Sequence, residues 1–125
     1  MENLPDFIGH VFEDITRQYL RRLNRNRKLP FIAKSFGTWR GKDKQGAVHD
    51  VDVLLESAVS KELLIGECKW REHFNVTTAL EKLEHRANIF SDYECHKYLF
   101  TKKKLDSSNG QKATYLCTDN YFDFD

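Results

Sequence analysis

Several features that would place this chain in a familiar class are missing. No apolar run approaches the ~20 residues of a membrane-spanning helix. Acidic Glu2 and Asp6 stand where a secretory leader would be basic and then apolar. The three cysteines, Cys68, Cys95 and Cys117, are an odd and widely spaced set, so neither a disulfide framework nor a zinc knuckle is indicated. We therefore expect a soluble, cytoplasmic protein with reduced thiols.

The chain also lacks internal repeats and a nucleotide-binding loop. Gly41-Lys42 has neither the upstream glycine nor the hydroxyl residue of the GxxxxGK(S/T) pattern. A length of 125 residues, with 40% of them hydrophobic, can bury one ordinary core but not two domains of usual size. We expect residues 1–125 to form a single domain without an ATPase centre of its own.

Basic residues are unevenly distributed, although the formal net charge is only +1. The stretch from Arg17 to Lys34 contains no acid, and a second basic group begins at Lys97. Such groups are typical either of a surface that contacts a phosphate backbone or of solvated faces. The first interpretation predicts these nucleic-acid-binding residues: Arg17, Arg21, Arg25, Arg27, Lys28 and Lys102.

Hydrophobic periodicity predicts two helices, from about Leu4 to Asn24 and from about Val76 to Ser91. The first is expected to bury one apolar stripe, made of Leu4, Phe7, Ile8, Val11, Phe12, Ile15, Tyr19 and Leu23. Its opposite face is expected to be solvated, with His10, Asp14, Arg17 and Arg21. Glu13, Thr16 and Leu20 fall on a flank between the two. The second helix is expected to begin with a capping box of Thr78 and Glu81.

Alternating and β-branched residues predict five strands: Phe31–Trp39, Ala47–Leu55, Glu62–Lys69, Lys97–Thr101 and Ala113–Thr118. The first two are expected to form a hairpin through the turn Gly41–Gly46. The third, apolar on both faces, is expected to be central. The polar segment Ser107–Gly110 is expected to be a loop. The element order αβββαββ predicts an α/β fold with a mixed central sheet flanked by helices.

Charged residues interrupt two of these strands. Alternation puts Asp50 and Asp52 on one face of the second strand, and Glu67 and Lys69 on one face of the third. His49, Cys68 and Trp70 are expected to face away from these carboxylates. Buried carboxylates are costly unless they are paired or hold a metal, and clustered oxygen ligands suit Mg²⁺ or Mn²⁺. The alternative is that Glu67 and Lys69 are ordinary strand-end charges and that Asp52 pairs with one of them.

This arrangement resembles the PD-(D/E)XK phosphodiesterase superfamily, which has the restriction-endonuclease-like fold. More closely, three segments resemble the domain of unknown function at the C-terminal end of archaeal-type ATPases. They are Ile8-Gly9 with Phe12-Glu13, Asp50-Val51-Asp52, and Gly66-Glu67-Cys68-Lys69-Trp70. The resemblance covers Ile8 to Lys102.

The resemblance implies a metal-dependent DNA hydrolase, or nuclease, with Mg²⁺ or Mn²⁺ as cofactor. It implies catalytic roles for Glu13, Asp52, Glu67 and Lys69, and metal binding by Glu13, Asp52 and Glu67. Val51 stands where the superfamily pattern has proline, so either Asp50 or Asp52 could be the ligand. It also implies an ATPase module in the parent protein. Two alternatives stay open: an inactive nuclease fold that binds nucleic acid, and an interaction or regulatory domain of an AAA-type ATPase.

Overall fold

The computed structural model describes residues 3–71, 73–105 and 113–122. In chain order the elements are α1 (Asn3–Arg25), β1 (Ala33–Lys42), β2 (Val48–Ser57), β3 (Glu62–Lys69), α2 (Val76–Ile89), β4 (Glu94–Thr101), β5 (Thr114–Cys117) and α3 (Thr118–Tyr121). The predicted α/β class and the order αβββαββ are confirmed, with the short α3 added at the end. The predicted loop Ser107–Gly110 lies outside the described residues.

The five strands form one mixed sheet in the order β1-β2-β3-β4-β5. β1, β2 and β3 are antiparallel neighbours, whereas β4 and β5 run parallel to β3. A parallel neighbour needs a long crossover, which α2 provides between β3 and β4. The predicted β1–β2 hairpin and the predicted central position of β3 are both confirmed.

Two cores cover the two faces of the sheet. The α1-side core contains Phe12, Tyr19, Leu20, Phe31, Ala33, Val53, Leu55, Leu64, Phe100 and Tyr121. The α2-side core contains Val51, Leu63, Ile65, Ala79, Leu80, Leu83 and Leu99. Fully burying an aliphatic or aromatic side chain of this size stabilises a fold by roughly 1.5–3 kcal/mol. The two faces together therefore hold the sheet between the helices. No helix in the described part of the chain is long and apolar enough to cross a membrane.

Helix α1 is rotated from its predicted orientation. Val11 and Ile15, expected in the core, are 40% and 43% exposed, whereas Thr16 and Leu20, expected on a flank, are fully buried. Thr16 can be buried because its Oγ1 lies 2.7 Å from the hydroxyl oxygen of Tyr121 in α3. The side chains of Leu4, Phe7 and Ile8, also predicted for this stripe, lie outside the described residues.

The rotation also changes the predicted solvent face of α1. His10 and Asp14 are exposed as expected, but the Arg17 side chain is only 18% exposed. Its Nη1 donates a hydrogen bond of 3.1 Å to the backbone oxygen of Asp52. Arg17 is therefore directed at the sheet rather than at solvent.

Helix α2 begins at the predicted Val76, but its N-terminal cap and its end differ from those predicted. Asn75 is the N-cap, and its side chain accepts a hydrogen bond of 3.0 Å from the backbone N–H of Thr78. The predicted capping box of Thr78 and Glu81 is wrong because Thr78 is already the third helical residue. The helix ends at Ile89, before the predicted Ser91.

Strand β2 contains a bulge that reverses its faces. Gly37 pairs with Leu54 but Trp39 pairs with Val51, so β2 has one more residue than β1 over this interval. Val51 accordingly packs in the α2-side core, and Val53 in the α1-side core. Strict alternation, which puts these two valines on one face, is wrong here.

The bulge also corrects the expectation for His49, which was to face away from the carboxylates. His49 lies on the α2 side of the sheet, where its ring centroid is 4.6 Å from that of His85. β3 has its predicted bounds, and the remaining strands differ only at their ends. β1 and β2 extend past their predicted ends, β4 begins three residues early at Glu94, and α3 replaces the end of the last predicted strand.

Candidate active site

The acidic residues predicted from the sequence lie where β2 and β3 separate. Pairing between these strands ends at Val53 and Gly66. β3 continues to Lys69 beside β4 alone, and β2 approaches the same point through its bulge. The edge of β3 beyond Gly66 is thus open to side chains from β2 and the helices.

Glu67 and Lys69 point to the α2 side, as their alternation with Ile65 predicts. The carboxylate of Glu67 is only 9% exposed and is paired with two cations. Arg86 Nη1 donates a hydrogen bond of 2.6 Å to its Oε2. Lys69 Nζ lies 3.5 Å from its Oε1.

Asp52 reaches the same region from the β2 bulge. Its Oδ2 accepts a hydrogen bond of 2.9 Å from the backbone N–H of Cys68, one residue after Glu67. Burial raises the pKa of the Asp52 carboxyl, and the Cys68 hydrogen bond partly offsets that rise. Burial and the negative charge of Asp52 together raise the pKa of Glu67. The two carboxylates therefore interact repulsively within a poorly solvated site.

Glu13 approaches this pair from α1. Its side chain is 21% exposed, and Nδ1 of His10 lies 3.9 Å from its Oε1. Burial and the charge of Asp52 raise the pKa of Glu13, and Glu67 contributes in the same direction. The rotation of α1 that buries Thr16 and Leu20 also turns Glu13, on the same flank of the helix, toward the sheet.

The oxygens of Glu13, Asp52 and Glu67 do not form a ready coordination sphere. Among the described residues, these three carboxylates are not a set whose ligand atoms all lie within 4.8 Å of one another. Glu67 instead has its two oxygens directed at Arg86 and Lys69. Asp52 is close enough to the other two acids to raise the pKa values of Glu13 and Glu67. The charge of Glu67 is balanced by Arg86 and Lys69.

Asp50, the alternative ligand from the sequence, lies in a different environment. Its carboxylate is 62% exposed and lies 3.7 Å from Arg40 Nε on the neighbouring strand. Because the bulge falls after Val51, Asp50 and Asp52 are not equivalent positions of one regular strand. The geometry favours Asp52 as the acid associated with Glu67.

Arg86 is the site residue that sequence reasoning missed. Its side chain is only 12% exposed, and its Nε is buried without an acceptor among the described residues. A signal for it exists in the sequence, because Arg86 follows the buried Ala79 and Leu83 by seven and three positions. A charged residue at that spacing belongs to the buried stripe of a helix, where it needs a partner.

The predicted nucleic-acid-binding residues are divided between two places. Lys102 lies beside the end of β3: its backbone N–H donates to the backbone oxygen of Lys69, and its Nζ is 5.1 Å from the centroid of the Trp70 ring. Trp70 itself packs against the α1-side core, 5.0 Å from Phe12, as expected. Burial raises the pKa of the Cys68 thiol well above its usual range, so Cys68 is an un-ionised thiol beneath the site.

Arg17 contacts the backbone of Asp52, and the remaining predicted basic residues follow α1 away from the carboxylates. Arg21 is exposed and its guanidinium lies 4.6 Å from the centroid of the Phe36 ring. Arg25, Arg27 and Lys28 are exposed at the end of the helix. From Glu13 to Arg25 the helix axis advances about 18 Å, at about 1.5 Å per residue. This end of α1 is therefore a surface separate from the acidic site.

Residues 1–88 match the model of a family, DUF234, whose description is "Archaea bacterial proteins of unknown function". The chain belongs to the DUF234 family. The match covers α1, the three antiparallel strands and most of α2, and so includes Glu13, Asp52, Glu67, Lys69 and Arg86. The family resemblance predicted from the sequence is confirmed.

A curated relative of this DUF234 chain is "Uncharacterized protein MJECL04" from Methanocaldococcus jannaschii, 26% identical over 108 residues. The aligned region is 83% of this chain but only 24% of that protein, so the chain spans about a quarter of the length of the relative.

A solved structure with a similar fold is the small subunit (R.BspD6I2) of the heterodimeric restriction endonuclease R.BspD6I, with a TM-score of 0.54 at 13% identity. The similarity covers 90% of this chain and 64% of that subunit. The DUF234 chain therefore has the restriction-endonuclease-like fold.

Proposed function

We propose that this DUF234 domain is a divalent-metal-dependent DNA phosphodiester hydrolase. The observation that carries the proposal is the association of Asp52, Glu67 and Lys69 where β2 and β3 separate, in a restriction-endonuclease-like sheet. Burial and mutual repulsion raise the pKa of both acids, an arrangement that is costly for stability and common where function requires it.

The donors present fit Mg²⁺ or Mn²⁺. Glu13, Asp52 and Glu67 offer only carboxylate oxygens, the ligands that these hard cations prefer. A bound cation would offset the electrostatic repulsion among the three acids. When bound, such a cation polarises a phosphoryl oxygen and increases the acidity of water. Rotation of the Glu67 side chain away from Arg86 would join its oxygens to that set.

The basic residues of the site supply the remaining functions of a phosphodiesterase. Lys69 places an ammonium group beside Glu67, where it can orient a water molecule or offset charge that develops on the phosphate. The Nε of Arg86 is buried without an acceptor among the described residues, and rotation of the side chain away from Glu67 would allow the guanidinium to donate to a phosphate oxygen. Lys102, whose backbone N–H donates to Lys69 at the end of β3, can contact the backbone of the substrate.

A cleavage assay tests the proposal. Supercoiled plasmid, linear duplex and single-stranded DNA are each incubated with the purified chain in Mg²⁺, in Mn²⁺ and in EDTA. We expect cleavage only with a cation, and roughly a 10²–10³-fold lower rate for Lys69→Ala with nearly unchanged binding, because the ammonium acts mainly on transition-state charge. Lys44→Ala, an exposed lysine of the β1–β2 turn, is the matched control.

One observation favours a second candidate, a nuclease fold that binds DNA without cutting it. Both oxygens of Glu67 are directed at cations, which is also how a buried acid is stabilised once its metal is lost. Intact substrate under Mg²⁺ and Mn²⁺, together with salt-dependent DNA binding, would support this candidate and contradict hydrolysis.

We further propose that this domain is the C-terminal domain of a larger protein, which also contains an ATPase module. The support is the family resemblance together with the length of the curated relative, of which this chain spans 24%. ATPase activity of the purified full-length relative that changes when DNA is added would support this proposal. A full-length protein that neither binds nor hydrolyses ATP would contradict it.

A further inference from the structure

Three potential metal ligands converge on the α2 side of the sheet, outside the carboxylate site. They are Asp43 in the β1–β2 turn, His49 in β2 and His85 in α2. Nε2 of His49 lies 2.8 Å, and Nε2 of His85 3.3 Å, from the same Asp43 oxygen, Oδ2. One ligand atom from each residue lies within 4.8 Å of the other two.

The turn fixes the carboxylate of Asp43 in one orientation. Its Oδ1 accepts hydrogen bonds of 2.9 Å from the backbone N–H groups of Gln45 and Ala47. The turn closes when Gly46, at a positive φ of 87°, donates its N–H to the backbone oxygen of Asp43. Hydrogen bonds of this kind on the outer oxygen orient a metal-binding carboxylate. Oδ2 is left to face the two imidazoles.

The two histidines are both accessible to an ion from solvent. The His85 side chain is 51% exposed, and that of His49 is 20% exposed. Cavities of about 400 Å³, beside Asn88, and about 370 Å³, beside Thr78, both include His85 in their walls. An ion can therefore reach the converging Nε2 atoms without unfolding of the helix or the hairpin.

We propose that Asp43, His49 and His85 form a second metal site, selective for a transition-metal dication of the zinc type. Two imidazole nitrogens and one carboxylate oxygen suit Zn²⁺, Co²⁺ or Ni²⁺, whereas the all-oxygen donors of the first site suit Mg²⁺. Three protein ligands leave a further position to water, as in sites where the metal is exchangeable or reactive.

The site also connects two parts of the fold. It joins the β1–β2 turn to the last turns of α2, and the residue after His85 is Arg86, which holds Glu67. A bound ion would thus restrain the helix that positions the cation of the carboxylate site. We expect it to raise the melting temperature of the chain by binding only the folded state.

Calorimetric titration of untagged, EDTA-treated protein with ZnCl₂ tests the site. The Asp52→Asn variant, which leaves the pair of Glu67 with Arg86 of α2 in place, is titrated in parallel, so that a cation at the carboxylate site is counted separately. We expect one Zn²⁺ per chain in both proteins. His49→Gln and His85→Gln are each expected to weaken binding at least about tenfold, since loss of even an outer-shell partner costs 10–100-fold. Co²⁺ should give visible absorption that both variants lose.

Two control variants separate this site from its competitors. His73→Gln changes an exposed histidine outside the set, and His96→Gln changes a histidine grouped with Glu62 and Glu94 instead. Both should bind Zn²⁺ as wild type does. Unchanged affinity in His49→Gln and His85→Gln, loss of binding in His96→Gln, or no binding at all would overturn the proposal. A chain without nuclease activity that still binds Zn²⁺ through His49 and His85 would leave this site intact.

Discussion

Nη1 of Arg86 in α2 donates a hydrogen bond of 2.6 Å to the Glu67 carboxylate at the end of β3, and both side chains are almost completely buried. The pair therefore differs in kind from the surface ion pairs of this chain. A buried charge deprived of its partner keeps its desolvation penalty and loses the attraction that offset it.

We expect Arg86→Gln alone to lower the free energy of unfolding by about 3–5 kcal/mol, because it leaves the buried Glu67 carboxylate without its main partner. The double variant with Glu67→Gln should recover most of that loss. Urea denaturation in EDTA, arranged as a double-mutant cycle, measures the coupling. Glu67→Gln should be the milder of the two single changes, because it also removes a carboxylate whose pKa is raised by burial and by the charge of Asp52.

An exposed pair provides the control for that cycle. Lys34 Nζ lies 3.7 Å from Glu56 Oε2, and the two side chains are 54% and 39% exposed. The cycle on Lys34→Gln and Glu56→Gln should give about 0–1 kcal/mol. Equal coupling energies in the two cycles would show that burial contributes nothing to the Glu67–Arg86 interaction.

Asp52 makes a prediction about pH. Its pKa is raised in the folded protein, so the folded state holds this proton more tightly than the unfolded chain. Stability from this group is present at low pH and falls as pH rises from the unfolded value, about 3.9, through the folded value. We expect Asp52→Asn to be more stable than wild type at pH 7 in EDTA, with the difference vanishing at about pH 3. The new amide oxygen can still accept from Cys68 N–H.

Thermal unfolding with and without metal checks this prediction. Mn²⁺ at about 100 times its dissociation constant should stabilise wild type by about 2.7 kcal/mol and reverse the order. Asp50→Asn is the control, since that carboxylate is 62% exposed, and should change stability by no more than about 0.5 kcal/mol. If Asp52→Asn is instead less stable at pH 7 and metal changes nothing, Asp52 is a structural hydrogen-bond acceptor only.

The basic end of α1 makes a prediction about DNA binding. Arg25→Gln with Arg27→Gln should flatten the dependence of log K on log[salt] by up to about 2, because each phosphate contact contributes about 0.9. Glutamine is chosen because an acid at the C-terminal end of a helix would itself destabilise the fold. Fluorescence anisotropy at several salt concentrations measures the slope.

The control is Lys42→Gln with Lys44→Gln, which removes the same charge from two exposed lysines at the β1–β2 turn. Equal slopes for both double variants would mean that α1 contributes only bulk charge.

Local patterns in the sequence are sufficient to predict the class and order of the fold. The apolar run before Glu67 indicates a central strand, and that strand is the centre of the sheet. The sequence also predicts that Glu67 and Lys69 share a face, because β3 is regular up to its end. These predictions depend on residues that are neighbours in sequence.

Where a prediction was wrong, a distant partner is the reason. Thr16 is buried by its hydrogen bond to Tyr121, 105 positions away. The face of His49 depends on a bulge that becomes visible only when β2 is aligned with β1. Arg86 and His85 reach their sites from α2, and the patterns within the strands do not predict how that helix is rotated about its axis. Short-range periodicity gives elements, whereas bulges, helix rotation and buried ion pairs arise from packing between them.

The glycine before Glu67 makes the last prediction. Gly66 pairs with Val53 at the last rung between β2 and β3, and it is buried against Phe100 in the α1-side core. A Cβ atom at Gly66 would lie 2.5 Å from Cε2 of Phe100 and 3.3 Å from Cβ of Val53. Phe100 is fully buried. We expect Gly66→Ala to lower the free energy of unfolding by about 1–3 kcal/mol through overpacking.

Gly37→Ala is the control, because a Cβ atom at Gly37 would meet nothing within 4 Å. Its stability in urea denaturation should be equal to or higher than that of wild type. Because Glu67 follows directly, displacement of β3 in Gly66→Ala should also weaken the coupling between Glu67 and Arg86. If the two alanine variants have the same stability, the close contact with Phe100 does not constrain the strand that carries the site.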